Sequence, residues 1–72
     1  MKMIKREQVE MLRQEYPAGS RVELICMEDP QAPLTGTHGT VIGVDDVGTI
    51  HVNWDNGSSL GVAYEKDRCR RI

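Results

Sequence analysis

Thr49-Ile50-His51-Val52-Asn53-Trp54-Asp55-Asn56-Gly57 decides the fold. Up to Trp54 the stretch has period two. Ile50, Val52 and Trp54 fall on one face, and Thr49, His51 and Asn53 on the other, as in a half-buried strand. Asp55-Asn56-Gly57 then reverses the chain. Asn-Gly between two strands is the strongest short hairpin signal, because a type I′ turn needs positive φ at both residues.

The neighbouring segments read the same way. Gly39 to Val44 is a strand, and Asp45-Asp46-Val47-Gly48 is a turn in which Gly48 is free to take positive φ. Val22, Leu24 and Cys26 alternate with Arg21, Glu23 and Ile25, which makes an earlier strand. Ile25 and Met27 give it a partly apolar second face. Between these two strands runs a loop stiffened by Pro30 and Pro33. Ser58 to Val62 reads as a further strand, weakened by Gly61. Ala63 to Asp67 suits one helical turn, and Arg68 to Ile72 a short last strand.

The N-terminal part changes period. Lys5 to Tyr16 holds good helix formers and no Gly or Pro, with Val9, Leu12 and Tyr16 at i, i+3, i+7 and Met11 widening the stripe. Pro17 and Gly19 end it. The sequence therefore predicts a mainly β single domain over residues 1–72. A helix at about 5–16 covers a small five-stranded SH3-like barrel at about 20–72, with a one-turn helix before the last strand.

The chain has 72 residues, 28% charged and 39% hydrophobic, and Phe is absent. A chain of this size buries only about 60% of its unfolded surface. It has little room for a deep catalytic cavity beside its core. Ser58 and Ser59 lack the setting of a nucleophile elbow, and the glycines sit at turns and bends rather than in a P-loop or dinucleotide fingerprint. The expectation is no enzyme and no cofactor. Cys26, Cys69, His38 and His51 show no paired spacing of a zinc site, so no metal is expected and both thiols read as reduced. No apolar run approaches the ~18 residues of a membrane span. The polar start at Met1-Lys2-Met3 offers no signal-peptide core, which predicts a cytoplasmic protein.

Charge is segregated along the chain. Residues 1–21 carry five basic and three acidic side chains; residues 22–65 carry seven acidic ones and no Lys or Arg; residues 66–72 carry four basic and one acidic. An acidic barrel surface suits a basic peptide or another protein. The candidate contacts are Asp45, Asp46, Asp55, Trp54 and Tyr64. Trp54 also reads as core, since it continues the Ile50/Val52 face, and the paired turn carboxylates also read as turn formers. The alternative is a nucleic-acid patch of Lys66, Arg68, Arg70, Arg71 and Arg21, because phosphate binding needs clustered Lys and Arg. The same charges also discourage edge-to-edge pairing, so a monomer is expected.

Three resemblances follow from particular residues. Gly36-Thr37-His38-Gly39-Thr40-Val41, Ile50 to Gly57, and Asp67-Arg68-Cys69-Arg70-Arg71-Ile72 resemble a bacterial and phage family known as domain of unknown function 4314. Tyr16-Pro17, Arg21-Val22-Glu23-Leu24 and Asp29-Pro30 extend the likeness over nearly the whole chain. It implies a compact protein of bacteria or their mobile elements. Gly36, Gly39 and Val41 resemble the glycine turn of KOW-type SH3-like barrels, which implies binding to RNA or to ribosomal and transcription proteins. Val52-Asn53-Trp54-Asp55-Asn56-Gly57 is similar to the barrel of mind-bomb-type ubiquitin ligases, which implies peptide binding.

Overall fold

The computed structural model describes residues 4–72; the polar start at Met1-Lys2-Met3 lies outside the described residues. One helix, α1 (Arg6–Glu15), precedes four strands: β1 (Arg21–Cys26), β2 (His38–Val44), β3 (Ile50–Trp54) and β4 (Arg68–Arg71). They form one antiparallel open sheet in the order β3-β2-β1-β4. No helix among the described residues is long and apolar enough to cross a membrane.

The alternation of β3 is realised in full. Ile50, Val52 and Trp54 are buried, and His51 and Asn53 are exposed. They join Val22, Leu24, Val41 and Val62 in the core, with Tyr16, Met27, Val44 and Cys69 packed around them. The helix adds Val9, its one buried residue, and bonds the Lys5 N–H to Gln8 Oε1 at its start. Met11 is two-thirds exposed, so the apolar stripe is narrower than expected. Arg13 links the helix to the sheet: its Nε donates to the Val44 carbonyl at 3.1 Å and its Nη2 to Asp46 at 2.8 Å.

The five-stranded expectation is corrected to four strands. The backbone of residues 58–62 bonds to that of β3 only at an isolated bridge, Ile50 with Val62, and where Trp54 N–H donates to the Ser58 carbonyl. The reason is local. The Leu60 carbonyl turns inward to accept the Trp54 indole N–H at 2.8 Å, so it does not face the β3 ladder. Gly61 is pressed against Thr49, where a Cβ would come within 2.5 Å of Thr49 Cγ2.

Two turns also differ from expectation. The 55–57 hairpin is not type I′, since among described non-glycine residues only Glu65 has positive φ. Gly57 N–H donates to the Trp54 carbonyl, and Gly57 alone takes φ +94°. That is the three-residue hairpin of a type I turn followed by a left-handed glycine. In the segment 63–67 the Lys66 and Asp67 N–H groups both donate to the Ala63 carbonyl, at 3.2 and 3.0 Å. Glu65 at φ +61° breaks the run there, so it is a turn and not a helix.

Candidate functional site

An apolar groove of about 350 Å³ opens between α1 and the 63–67 turn. Each wall has a local cause. Leu12 comes from α1 and Tyr16 from the C-cap that follows it, where the Tyr16 N–H donates to the Leu12 carbonyl. Ile25 comes from β1, where the pairing with β4 slips between Leu24 and Cys26. Leu24 faces Cys69 and Cys26 faces Arg68, so Ile25 is an extra residue, and such bulges re-aim a side chain. Ile25 is 40% exposed. Tyr64 closes the far side, and Arg68 and Cys69 form the rim on β4.

The turn carrying Tyr64 is fixed by Asp67. Its Oδ2 accepts from the Ala63 N–H at 3.0 Å and its Oδ1 from the Glu28 N–H at 3.3 Å. Burial, with a smaller contribution from the Glu15 charge, pushes the Cys69 thiol up to about 11. It is therefore protonated at neutral pH and acts as apolar wall rather than nucleophile. Burial likewise raises the Tyr16 phenol. Cys26 is exposed, and neither cysteine is in a disulfide. No group of three His, Cys, Asp or Glu among the described residues could hold a metal ion.

The residues singled out from the sequence are scattered. Trp54 is 3% exposed and belongs to the core, so it offers no platform to a ligand. Asp55 is held by Arg21 through two hydrogen bonds, of 2.9 and 2.5 Å. Asp46 pairs with Arg13. Asp45 shapes the β2–β3 turn: its Oδ1 accepts from the Val47 and Thr49 N–H groups, and its Oδ2 lies 2.9 Å from His51 Nε2. Partial desolvation pushes the Asp45 carboxyl up, but those hydrogen bonds outweigh it and hold it below its ordinary value. Tyr64 alone of the five lines the groove.

The basic set is divided as well. Arg70 pairs with Glu23, and Arg71 Nη1 donates to the Glu15 carbonyl at the end of α1, where a cation is favoured. Arg21 is taken up by Asp55. Charges segregated in sequence are thus interleaved in space. Leu12 and Tyr16 were legible as the apolar stripe of the helix and Ile25 as part of a partly apolar second face of β1; that second face was the signal for the groove.

A family model, described as a domain of unknown function (DUF4314), matches residues 5–72. The chain belongs to the DUF4314 family. No curated protein and no solved structure gives a significant match. The function of DUF4314 is unknown, so a functional reading rests on the groove and the charges around it.

Proposed function

We propose that this chain is a small non-catalytic protein- or peptide-interaction module whose partner seats an apolar side chain between α1 and the 63–67 turn. The groove carries this reading. Its volume of about 350 Å³ lies at the small end of ligand sites, which run from roughly 300 to 1,000 Å³. It suits one or two side chains of a peptide better than an enclosed substrate. Of the polar groups beside it, Asp67 caps the turn, and burial keeps Cys69 protonated.

An SH3-like architecture fits this use. The order β3-β2-β1-β4 is that of such a barrel with residues 58–62 beside β3 reduced to one bridge. A bacterial or phage setting, as the family resemblance implies, and a cytoplasmic location are part of this proposal. A basic partner on the acidic loops would have to displace Arg13 from Asp46 and Arg21 from Asp55. A nucleic-acid surface would have to free Arg21 and Arg70 from their carboxylates. The groove requires neither.

Selection from a displayed random-peptide library, followed by amide chemical-shift mapping of an enriched peptide, tests the reading. Shifts centred on Leu12, Ile25, Tyr64 and Cys69 are expected. Shifts centred elsewhere, no enrichment, or micromolar binding of a random RNA or DNA oligomer at physiological salt would overturn it.

A further inference from the structure

β4 is an edge strand whose backbone faces outward in a defined pattern. Among the described residues it pairs with β1 alone, in the register Val22 with Arg71, Glu23 with Arg70 and Leu24 with Cys69. Ile72 N–H donates to the Arg21 carbonyl at 3.0 Å. Antiparallel neighbours alternate between pairs that exchange hydrogen bonds and pairs that do not. Arg21 with Ile72 is a bonded pair, so Glu23 with Arg70 is the next. The N–H and C=O of Cys69 and Arg71 therefore point away from β1, toward the free edge. β1 shows the complementary half: Leu24, opposite Cys69, donates to the Thr37 carbonyl and accepts from the Gly36 N–H, both away from β4.

β4 itself carries only basic charge, although Arg70 is paired with Glu23 and Asp67 precedes the strand. Three of the four β4 residues are Arg, and Lys66 precedes them. Arg68 and Lys66 are exposed, with no side-chain partner among the described residues, and Arg68 also lines the groove. A second copy of the chain pairing β4 to β4 would bring Arg against Arg, which is destabilising. The same edge attracts an extended segment of opposite charge.

We propose that the partner is an acidic, extended peptide segment that adds to β4 as a fifth strand. It exchanges hydrogen bonds with the backbone of Cys69 and Arg71, sets its carboxylates near Arg68 and Lys66, and turns an apolar side chain into the groove. This inference rests on the interaction reading above and adds the partner's chemistry and its mode of binding. Strand addition takes affinity from the main chain and specificity from alternate side chains, and here the groove and the basic rim supply both kinds of contact.

The probe is an acetylated, amidated hexapeptide alternating Glu and Val, titrated into the unmodified protein at low and at physiological salt. Binding is expected to slow amide hydrogen exchange at Cys69 and Arg71 and to weaken as salt rises. Two versions N-methylated on alternate residues separate strand pairing from side-chain contact. The version methylated on the residues facing β4 should bind at least about tenfold more weakly, the equivalent of about 1.4 kcal/mol; the other should bind as the parent does. Replacing every Glu by Lys, or introducing Arg68→Glu in the protein, should also weaken binding by at least about tenfold.

Equal binding of both methylated versions, unprotected Cys69 and Arg71 amides in the complex, or preference for the Lys peptide would overturn strand addition by an acidic partner. So would failure of the Glu–Val peptide while library peptides map to the groove, and the interaction reading would then stand without it. Failure of the library peptides as well would remove both.

Discussion

Gly39 lies directly against the ring of Trp54: a Cβ at Gly39 would come within 2.8 Å of Trp54 Cε3 and 2.9 Å of the Asn53 carbonyl oxygen. The two residues face each other across the β2–β3 ladder. Trp54 fills the core because its neighbour has no side chain, and its indole N–H is satisfied by the Leu60 carbonyl. A buried Trp usually finds such a partner.

Gly39→Ala is therefore expected to destabilise the protein by about 1–3 kcal/mol, the usual range for forcing a methyl into a filled core. Urea unfolding of the variant checks this. A change below about 0.5 kcal/mol, the size of an ordinary surface substitution, would mean that the indole does not rest on Gly39.

Gly57 takes φ +94° with open space around it, so a side chain there meets backbone strain rather than a clash. Gly57→Val should cost more than about 1 kcal/mol, since a β-branched residue in that region is strained. An unaltered melting curve would contradict the hairpin geometry.

Much of this framework was legible in the sequence, for physical reasons. Period-two burial marks β3 strongly because Ile50, Val52 and Trp54 sit over a two-sided contrast of apolar and polar residues. Gly48 and Gly57 were readable because a left-handed turn position selects glycine. The fourth expected strand was not, because its fate depends on a distant donor. Nothing local to Ser58–Val62 says that the Leu60 carbonyl will turn to the Trp54 indole. The candidate site failed for a similar reason. Arg13 with Asp46, Arg21 with Asp55 and Arg70 with Glu23 are 33, 34 and 47 residues apart, so a charge count along the chain misses their neutralisation. Ile25 lines the groove through a bulge, which a regular alternation does not disclose.

The Arg21–Asp55 pair has a pH consequence. The hydrogen bond from Arg21 holds the Asp55 carboxyl below its ordinary value of 3.8. A carboxyl depressed in the folded state contributes stability that is complete above the unfolded value and is lost as pH falls through the folded one. Asp55 and Asp45, both lowered, should therefore weaken the fold only below about pH 4. Carbon-detected titration should show Asp55 below 3.8 and Arg21→Met returning it toward 3.8. An ordinary midpoint in the unmodified protein would remove the ion pair.

The two thiols should differ in reactivity. Cys26 is exposed, whereas Cys69 is partly buried with its thiol pushed up to about 11. At neutral pH a disulfide reagent should modify one thiol per folded chain rapidly and the second only on unfolding, since the thiolate is the reacting form. Mass spectrometry of the modified peptides identifies which. Equal rates at both sites would show that Cys69 is not shielded by the helix end.

The groove is the central claim, and Ile25→Ser tests it most directly. Ile25 is 40% exposed and outside the buried core, so the variant should melt close to the unmodified protein. Calorimetric titration with a library-selected peptide should show affinity falling by at least about tenfold, the loss expected when an apolar anchor contact worth roughly 1.4 kcal/mol is removed. Undiminished affinity in a fully folded Ile25→Ser protein would contradict the account.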